Sequence, residues 1–171
     1  MSQPIKPLEP PDTHHLSAAQ GWLELGNHID ANNELEEISP RQRAHPAVLS
    51  VRYDVYAKAG IWDRAAEIAG SLVKLMPEQS SFWICLAYAT RRKAGGGISE
   101  AKKILLKAEP KFPGLYLIRY NLACYECQSG NLKQAMRWLE KAIDMAGKKD
   151  IRQMALDDPD LEPLWNQISE I

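Results

Sequence analysis

The sequence predicts an all-α protein, a stack of about four helix-turn-helix repeats followed by a C-terminal capping helix. A glycine followed five residues later by an alanine that opens an apolar helix occurs four times, at Gly26–Ala31, Gly60–Ala65, Gly96–Ala101 and Gly130–Ala135. Successive alanines are 34, 36 and 34 residues apart. A period of this length is typical of solenoid arrays, in which each repeat needs its neighbours to bury its apolar face.

The two extra residues of the middle step lie in a glycine-rich turn. Tyr53, Ala87 and Ala123 occupy equivalent positions, 34 and then 36 residues apart, so the insertion lies between Ala87 and Ala101. That interval contains Ala94–Gly97, a flexible turn that absorbs an insertion at small cost. This register divides the chain into a proline-rich tail (1–13), four repeats (14–46, 47–77, 78–113 and 114–147) and a capping segment (148–171).

The apolar residues of each repeat recur at helical spacing. Leu49, Tyr53 and Tyr56 mark one face of a helix that Gly60 ends, and the helix that follows ends before Pro77. Small residues where two helices cross let them approach closely, and the glycine permits the sharp turn between them. The tryptophans within the repeats fall at helix-packing positions, so we expect most of them to pack between helices.

The two ends of the chain differ from the repeats. Four prolines in residues 1–13 predict a loose tail or an extended segment lying on the surface. Near the other end, Leu161, Leu164, Trp165 and Ile168 recur at three- and four-residue spacing. We therefore expect residues 148–171 to cover the exposed end of the stack.

The repeat resembles the tetratricopeptide repeat. The best match comprises Tyr120–Tyr125, Gly130–Leu132, Gln134–Ala135 and Leu139–Ile143, and the resemblance extends from Leu16 to Met145. It implies a right-handed superhelical stack of helix pairs. The first repeat departs from the pattern, since it has His28 where the second has Trp62.

The composition argues against several other classes of protein. Apolar residues make up 45% of the chain and charged residues 25%, which are average values for soluble globular proteins. A net charge of -1 argues against a dedicated nucleic-acid-binding protein. No apolar run approaches the roughly 20 residues that span a bilayer. Three cysteines do not indicate a disulfide framework, so we expect a cytoplasmic protein.

The sequence shows no arrangement of catalytic or metal-binding residues. Cys124 and Cys127 form a lone CxxC pair, and no second CxxC or histidine pair supplies the further ligands that a zinc site needs. The four histidines form no cluster on one helix face, and no Ser-His-Asp or Cys-His grouping is visible. We therefore expect neither an enzyme nor a bound metal or cofactor.

The resemblance also implies where a ligand would bind. In tetratricopeptide-repeat proteins the first helix of each pair lines a concave groove that holds peptides. Projection of these helices gives a set of candidate peptide-binding residues, namely Asp54, Lys58, Tyr88, Arg91, Arg92, Tyr120, Asn121, Cys124 and Gln128. Tyrosine and arginine dominate many binding hot spots because they combine contact area with directed hydrogen bonds.

Charge leaves several interpretations open. Between Arg91 and Arg119 there are eight basic residues and two acidic ones. This stretch is either an ordinary solvated helix surface or a region that attracts an acidic partner. The leading hypothesis is a scaffold or adaptor that binds a protein segment. The alternatives are a bacterial secretion-type chaperone and, less favoured, a basic nucleic-acid-binding module. An imperfect cap would also permit self-association.

Overall fold

A computed structural model describes residues 6–170 of the chain, apart from the side chain of Lys148. Residues 1–5 of the predicted tail and residue 171 of the capping segment lie outside it. Residues 6–170 form ten α-helices, namely α1 (Asp12–Glu24), α2 (His28–Glu37), α3 (Pro46–Lys58), α4 (Trp62–Leu75), α5 (Ser80–Arg92), α6 (Ile98–Ala108), α7 (Tyr116–Gln128), α8 (Leu132–Ala146), α9 (Lys148–Leu156) and α10 (Trp165–Ser169). Three short 3-10 helices accompany them, at Pro40–Gln42, Glu109–Lys111 and Pro159–Leu164.

The helices pack in adjacent pairs, as the repeat pattern predicts. The chain forms two compact units, an N-terminal unit that ends at Gly95 and a C-terminal unit that begins at Gly96. In the N-terminal unit α1 packs on α2, α3 on α4, and α4 on α5. In the C-terminal unit α7 packs on α6 and α8, and α9 follows against α8. The all-helical fold with paired helices is thereby confirmed.

Buried alanines occupy equivalent positions in the helices of the repeats. Each alanine that the sequence analysis placed at the opening of a second helix is fully buried, namely Ala31, Ala65, Ala101 and Ala135. The equivalent first-helix positions Ala19, Ala87 and Ala123 are also fully buried, and Tyr53 is 7% exposed. A methyl side chain at these positions lets the helix backbones approach closely, so the repeat register is also the packing register.

The turn between α3 and α4 depends on a glycine in the left-handed region. Gly60 has φ +72°, and its N–H donates to the carbonyl of Ala57 while the N–H of Ile61 donates to that of Tyr56. These bonds satisfy carbonyls that the end of a helix would leave without partners. An L side chain in this conformation costs energy even where space is available.

Residues 6–12 are fastened to the first repeat. The carboxylate of Asp12 accepts hydrogen bonds from the backbone N–H and the hydroxyl of Ser39, both at 2.9 Å. The bond from the Ser39 backbone holds the pKa of Asp12 below its ordinary value. Leu8 packs on the buried core of the N-terminal unit, and the His45 ring lies 3.0 Å from the carbonyl of Lys6. Residues 6–11 are therefore held against the first repeat.

A pair of glycine substitutions tests the turn. Gly60→Ala should lower the free energy of unfolding by about 1 kcal/mol, because alanine is strained at positive φ. Gly21→Ala is the matched control, since Gly21 lies inside α1 with open space around its α-carbon. That substitution should raise stability by about 0.5–1 kcal/mol. Urea unfolding followed by circular dichroism measures both, and equal effects of the two substitutions would contradict the assignment of the turn.

Candidate functional site

The repeat register defines two positions on the first helix of each repeat. Position A is Gln20 in α1, and successive steps of 34, 34 and 36 residues lead to its equivalents Asp54, Tyr88 and Cys124. Position B lies one helical turn later, and its members are Glu24, Lys58, Arg92 and Gln128. Six of these eight residues belong to the candidate set that the resemblance implies. Three repeats contribute first helices to the N-terminal unit and the fourth to the C-terminal unit, so the two units are described separately.

In the N-terminal unit, five of the six residues at positions A and B line an open cavity of about 650 Å³, called here the groove cavity. Its lining residues come from α1, α3 and α5 and from the start of α4, and they are Gln20, Leu23, Glu24, Asp54, Ala57, Lys58, Trp62 and Tyr88. The structure thus brings together three of the predicted residues, Asp54, Lys58 and Tyr88. Arg92 joins them through its contacts with Tyr88.

Two aromatic residues that line the groove cavity, Trp62 and Tyr88, form a cluster with Arg92. The rings of Trp62 and Tyr88 meet edge to face with centroids 5.7 Å apart. The guanidinium carbon of Arg92 lies 3.4 Å from the centroid of the Tyr88 ring and 5.4 Å from that of Trp62. Arg92 also donates a 3.1 Å hydrogen bond to the carbonyl of Tyr88. These contacts hold three bulky side chains in place while Tyr88 stays 42% exposed.

Charged groups of both signs border the same cavity. Glu24 and Asp54 supply carboxylates, and Lys58 supplies an ammonium group. Partial desolvation raises the pKa of Asp54, although its side chain still reaches solvent. Position A of this unit therefore offers an acidic group and an aromatic hydroxyl, and position B offers one acid and two bases.

In the C-terminal unit the same positions contact the chain's own C-terminal segment. The hydroxyl of Tyr120 lies 3.0 Å from the carboxylate of Asp158 and 3.2 Å from the carbonyl of Met154. At position A the thiol of Cys124 lies 3.4 Å from the same carboxylate. At position B the side-chain amide of Gln128 donates to the carbonyl of Asp160 at 2.9 Å. A short acidic segment thus crosses the face of α7.

This contact buries part of the predicted site. Tyr120 is 5% exposed and Cys124 3% exposed, so neither is presented to a partner while the segment is in place. Burial beside Cys124 and Asp158 raises the pKa of Tyr120. Asn121 is engaged within its own helix, where its amide donates to the carbonyl of Leu117. The capping segment that the sequence analysis placed at the end of the stack therefore contacts α7 as well as α8.

Apolar side chains anchor the C-terminal segment. Leu161, Leu164 and Ile168 are all fully buried, as their three- and four-residue spacing predicts. The indole N–H of Trp165 donates to the carbonyl of Ala155, and the guanidinium of Arg152 donates to the carbonyl of Ile168. The segment is therefore an integral part of the C-terminal unit and not a loosely bound strap.

The basic stretch is partly neutralised inside the chain. Lys102 pairs with Glu126 at 3.2 Å, Lys103 with Glu100 at 2.7 Å, and the guanidinium of Arg119 with Glu109 at 2.8 Å. Glu100 and Glu109 belong to the stretch itself, so only Glu126 offsets positive charge beyond what the sequence count already includes. Arg91, near the end of α5, is partly buried.

Thiol and metal chemistry find little support in the geometry. Within residues 6–170 the cysteines Cys85, Cys124 and Cys127 form no disulfide, and burial raises the pKa of Cys85 and Cys127, which disfavours the reactive thiolate. Across these described residues no group of three or more His, Cys, Asp or Glu side chains is arranged to hold a metal ion. In the same part of the chain no helix is both long and apolar enough to cross a membrane.

The paired helices, the buried alanines and the glycine turns define a fold of the tetratricopeptide-repeat class, as the sequence predicts. Solved structures with this fold include TTC0263, a thermophilic TPR protein from Thermus thermophilus, with a TM-score of 0.69 and 19% identity, covering 92% of this chain and 82% of that one. The MamA RS-1 ArsTM double mutant gives a TM-score of 0.70 at 13% identity, over 84% of this chain and 79% of that chain.

A third structure, MamA MSR-1 C2, gives a TM-score of 0.64 at 14% identity, over 95% of this chain and 97% of that chain. At such identities the likeness establishes the fold alone. No family model and no curated protein sequence matches the chain.

Sequence reasoning misses two features of these faces. The helical pattern predicts a packing role for Trp62, yet this residue also lines the groove cavity. No pattern singles out Asp158, although it faces Tyr120 and Cys124. The sequence signal that could have pointed to Asp158 is its position in an acidic, proline-containing stretch. This stretch lies next to apolar residues whose spacing is typical of a segment that packs on the protein.

Replacement of Tyr120 tests the contact between α7 and the C-terminal segment. Tyr120→Phe should lower the free energy of unfolding by about 1–2 kcal/mol, because the half-buried Asp158 loses a hydrogen-bond donor. Tyr116→Phe, in the same helix, is the matched control, since the described residues give the Tyr116 hydroxyl no hydrogen bond. Urea unfolding measures both variants, and the account of this contact fails if Tyr120→Phe is as stable as the control.

Proposed function

We propose that the protein is a non-catalytic scaffold or adaptor that binds a segment of another protein in the groove cavity. The observation that carries this proposal is the open, preformed cavity at positions A and B of the N-terminal unit, which presents an aromatic and arginine cluster to solvent. The fold supports the general role, because stacked helix pairs offer extended faces for binding.

The composition of the groove cavity suits a protein segment better than a small molecule. Tyr88, Trp62 and Arg92 are the residue types that contribute most to protein interfaces. Their mutual contacts fix their side chains before binding, which reduces the entropy lost when a partner is ordered against them. Because the cavity is open, a polypeptide segment can lie in it while the rest of its chain continues into solvent on both sides. An enclosed pocket would not permit this.

The proposed binding residues are Asp54, Lys58, Tyr88, Arg91 and Arg92. We propose that the remaining predicted residues bind a partner only when the C-terminal segment has moved away from α7. They are Tyr120, Asn121, Cys124 and Gln128. We place the protein in the cytoplasm, where its three thiols would remain reduced. No feature of the described residues favours the secretion-chaperone alternative over the adaptor.

A pull-down from lysate of the source cells tests the proposal, with Tyr88→Ala as the groove variant. We expect a discrete protein to be retained by the wild type and its recovery to fall at least about ten-fold with Tyr88→Ala, the loss typical of a hot-spot residue. Leu75→Ala is the matched control, because Leu75 is 50% exposed at the end of α4 and does not line the cavity.

Circular dichroism first establishes that both variants fold. The proposal is wrong if the same protein is retained equally by the wild type and by Tyr88→Ala. Retention of nucleic acid alone, with release at moderate salt, would favour the basic-surface alternative in its place.

A further inference from the structure

Three charged side chains that line the groove cavity, and that of Arg92 stacked on its lining residue Tyr88, take part in no ion pair among the described residues. The ion pairs of residues 6–170 involve other residues, and none of them includes Glu24, Asp54, Lys58 or Arg92. Asp54 and Lys58 lie one turn apart on α3, a spacing that often permits an ion pair, yet they do not form one. The cavity is thus lined by two carboxylates and one ammonium group, with the guanidinium of Arg92 stacked on the lining residue Tyr88, and each of these groups is available to a ligand.

The charges are distributed in a definite order. At position B the sequence of helices α1, α3 and α5 supplies Glu24, Lys58 and Arg92, so the first is acidic and the next two are basic. At position A the acidic member is Asp54. The negatively charged side chains are therefore on α1 and at position A of α3. The positively charged side chains are at position B of α3 and of α5.

Arg92 is particularly well prepared to bind a carboxylate. Its guanidinium stacks on the Tyr88 ring and is tied to the Tyr88 carbonyl through one nitrogen. The remaining N–H groups are available, and a planar guanidinium can bind a carboxylate through two parallel hydrogen bonds. Stacking lowers the entropy that such a bond would cost, because the side chain is already ordered.

The C-terminal unit provides an internal example of a segment bound at these positions. There, position A contacts a carboxylate through Cys124, and position B holds a backbone carbonyl through Gln128. The bound residues, Asp158 and Asp160, are two apart, so a short stretch of chain reaches both positions. Equivalent positions in the N-terminal unit carry the charged groups described above and are open.

We infer that the groove cavity binds a partner segment that carries charges of both signs, with an acidic residue directed to Arg92 and Lys58 and a basic residue directed to Glu24 and Asp54. This inference rests on the proposed function and adds the chemistry of the partner. A segment of a single sign would leave two like charges facing it, and uncompensated like charges in a binding site are costly. Trp62 and Leu23 supply apolar contact between the charged groups.

Selection from a phage-displayed library of random twelve-residue segments tests the inference. Four proteins are used as bait, namely the wild type, Arg92→Glu, Glu24→Lys and the control Lys74→Glu. Lys74 is an exposed residue of α4 outside the cavity, so its reversal changes net charge alone. Sequences enriched on the wild type should contain both an acidic and a basic residue at a recurring separation.

The binding of one enriched peptide to each of the four baits and to the groove variant Tyr88→Ala is then measured by fluorescence polarisation. Each cavity reversal should weaken binding by about ten-fold or more, as expected for the loss of a close charge pair, whereas Lys74→Glu should not. Reversal of the acidic residue of the peptide should restore binding to Arg92→Glu, and reversal of its basic residue should restore binding to Glu24→Lys.

The two proposals fail in different ways. One outcome is that peptides are enriched and that Tyr88→Ala abolishes their binding, while all four baits select peptides with the same charges. The mixed-charge inference is then wrong and the proposed function stands. Enriched peptides of one sign only would also overturn the inference. If no enriched peptide loses binding with Tyr88→Ala, both the proposed function and the inference fail.

Discussion

Close helix packing at alanine positions is the constraint on which the rest of this structure depends. Ala31, Ala65, Ala101 and Ala135 are fully buried where the second helix of each repeat begins. A larger side chain there would force the helix backbones apart, because protein interiors are packed as densely as crystals of small organic molecules. Because α1 and α2, α3 and α4, and α7 and α8 pack together at such small residues, the opposite faces of α1, α3 and α7 are left for other contacts. The groove cavity and the site of the C-terminal segment both form on such faces.

The same repeat positions are used in two ways within one chain. In the N-terminal unit they carry charged and aromatic side chains and stay open, and Tyr88 is 42% exposed. In the C-terminal unit they carry Cys124 and Gln128 and contact a segment whose leucines are fully buried. Apolar burial holds that segment in place, and its hydrogen bonds set its register on α7. Positions A and B of the N-terminal unit differ from those of the C-terminal unit chiefly because they carry charged side chains that form no ion pair within the described part of the chain.

The features that sequence alone predicts are those that depend on local pattern. The helix pairs, the turn at Gly60 and the buried alanines all follow from a repeated spacing, which is visible without a structure. The contact between Tyr120 and Asp158 joins residues 38 apart and leaves no periodic trace. Tyr120 therefore has the pattern of a groove residue, although the structure covers it. Likewise, Lys102 reads as free positive charge in the sequence because its partner Glu126, 24 residues away, can be recognised only from geometry.

Thiol labelling at position A tests most directly the claim that one face is open and the other covered. Native Cys124 and an Asp54→Cys variant place a thiol at equivalent positions, and mass spectrometry gives the labelling rate at each site relative to the same thiol in urea. We expect the thiol at position 54 to react within about ten-fold of its rate in urea and Cys124 at least about a hundred-fold more slowly than in urea, since a buried thiol reacts only after local opening. Equal relative rates would contradict the account, because the C-terminal segment would then not cover α7.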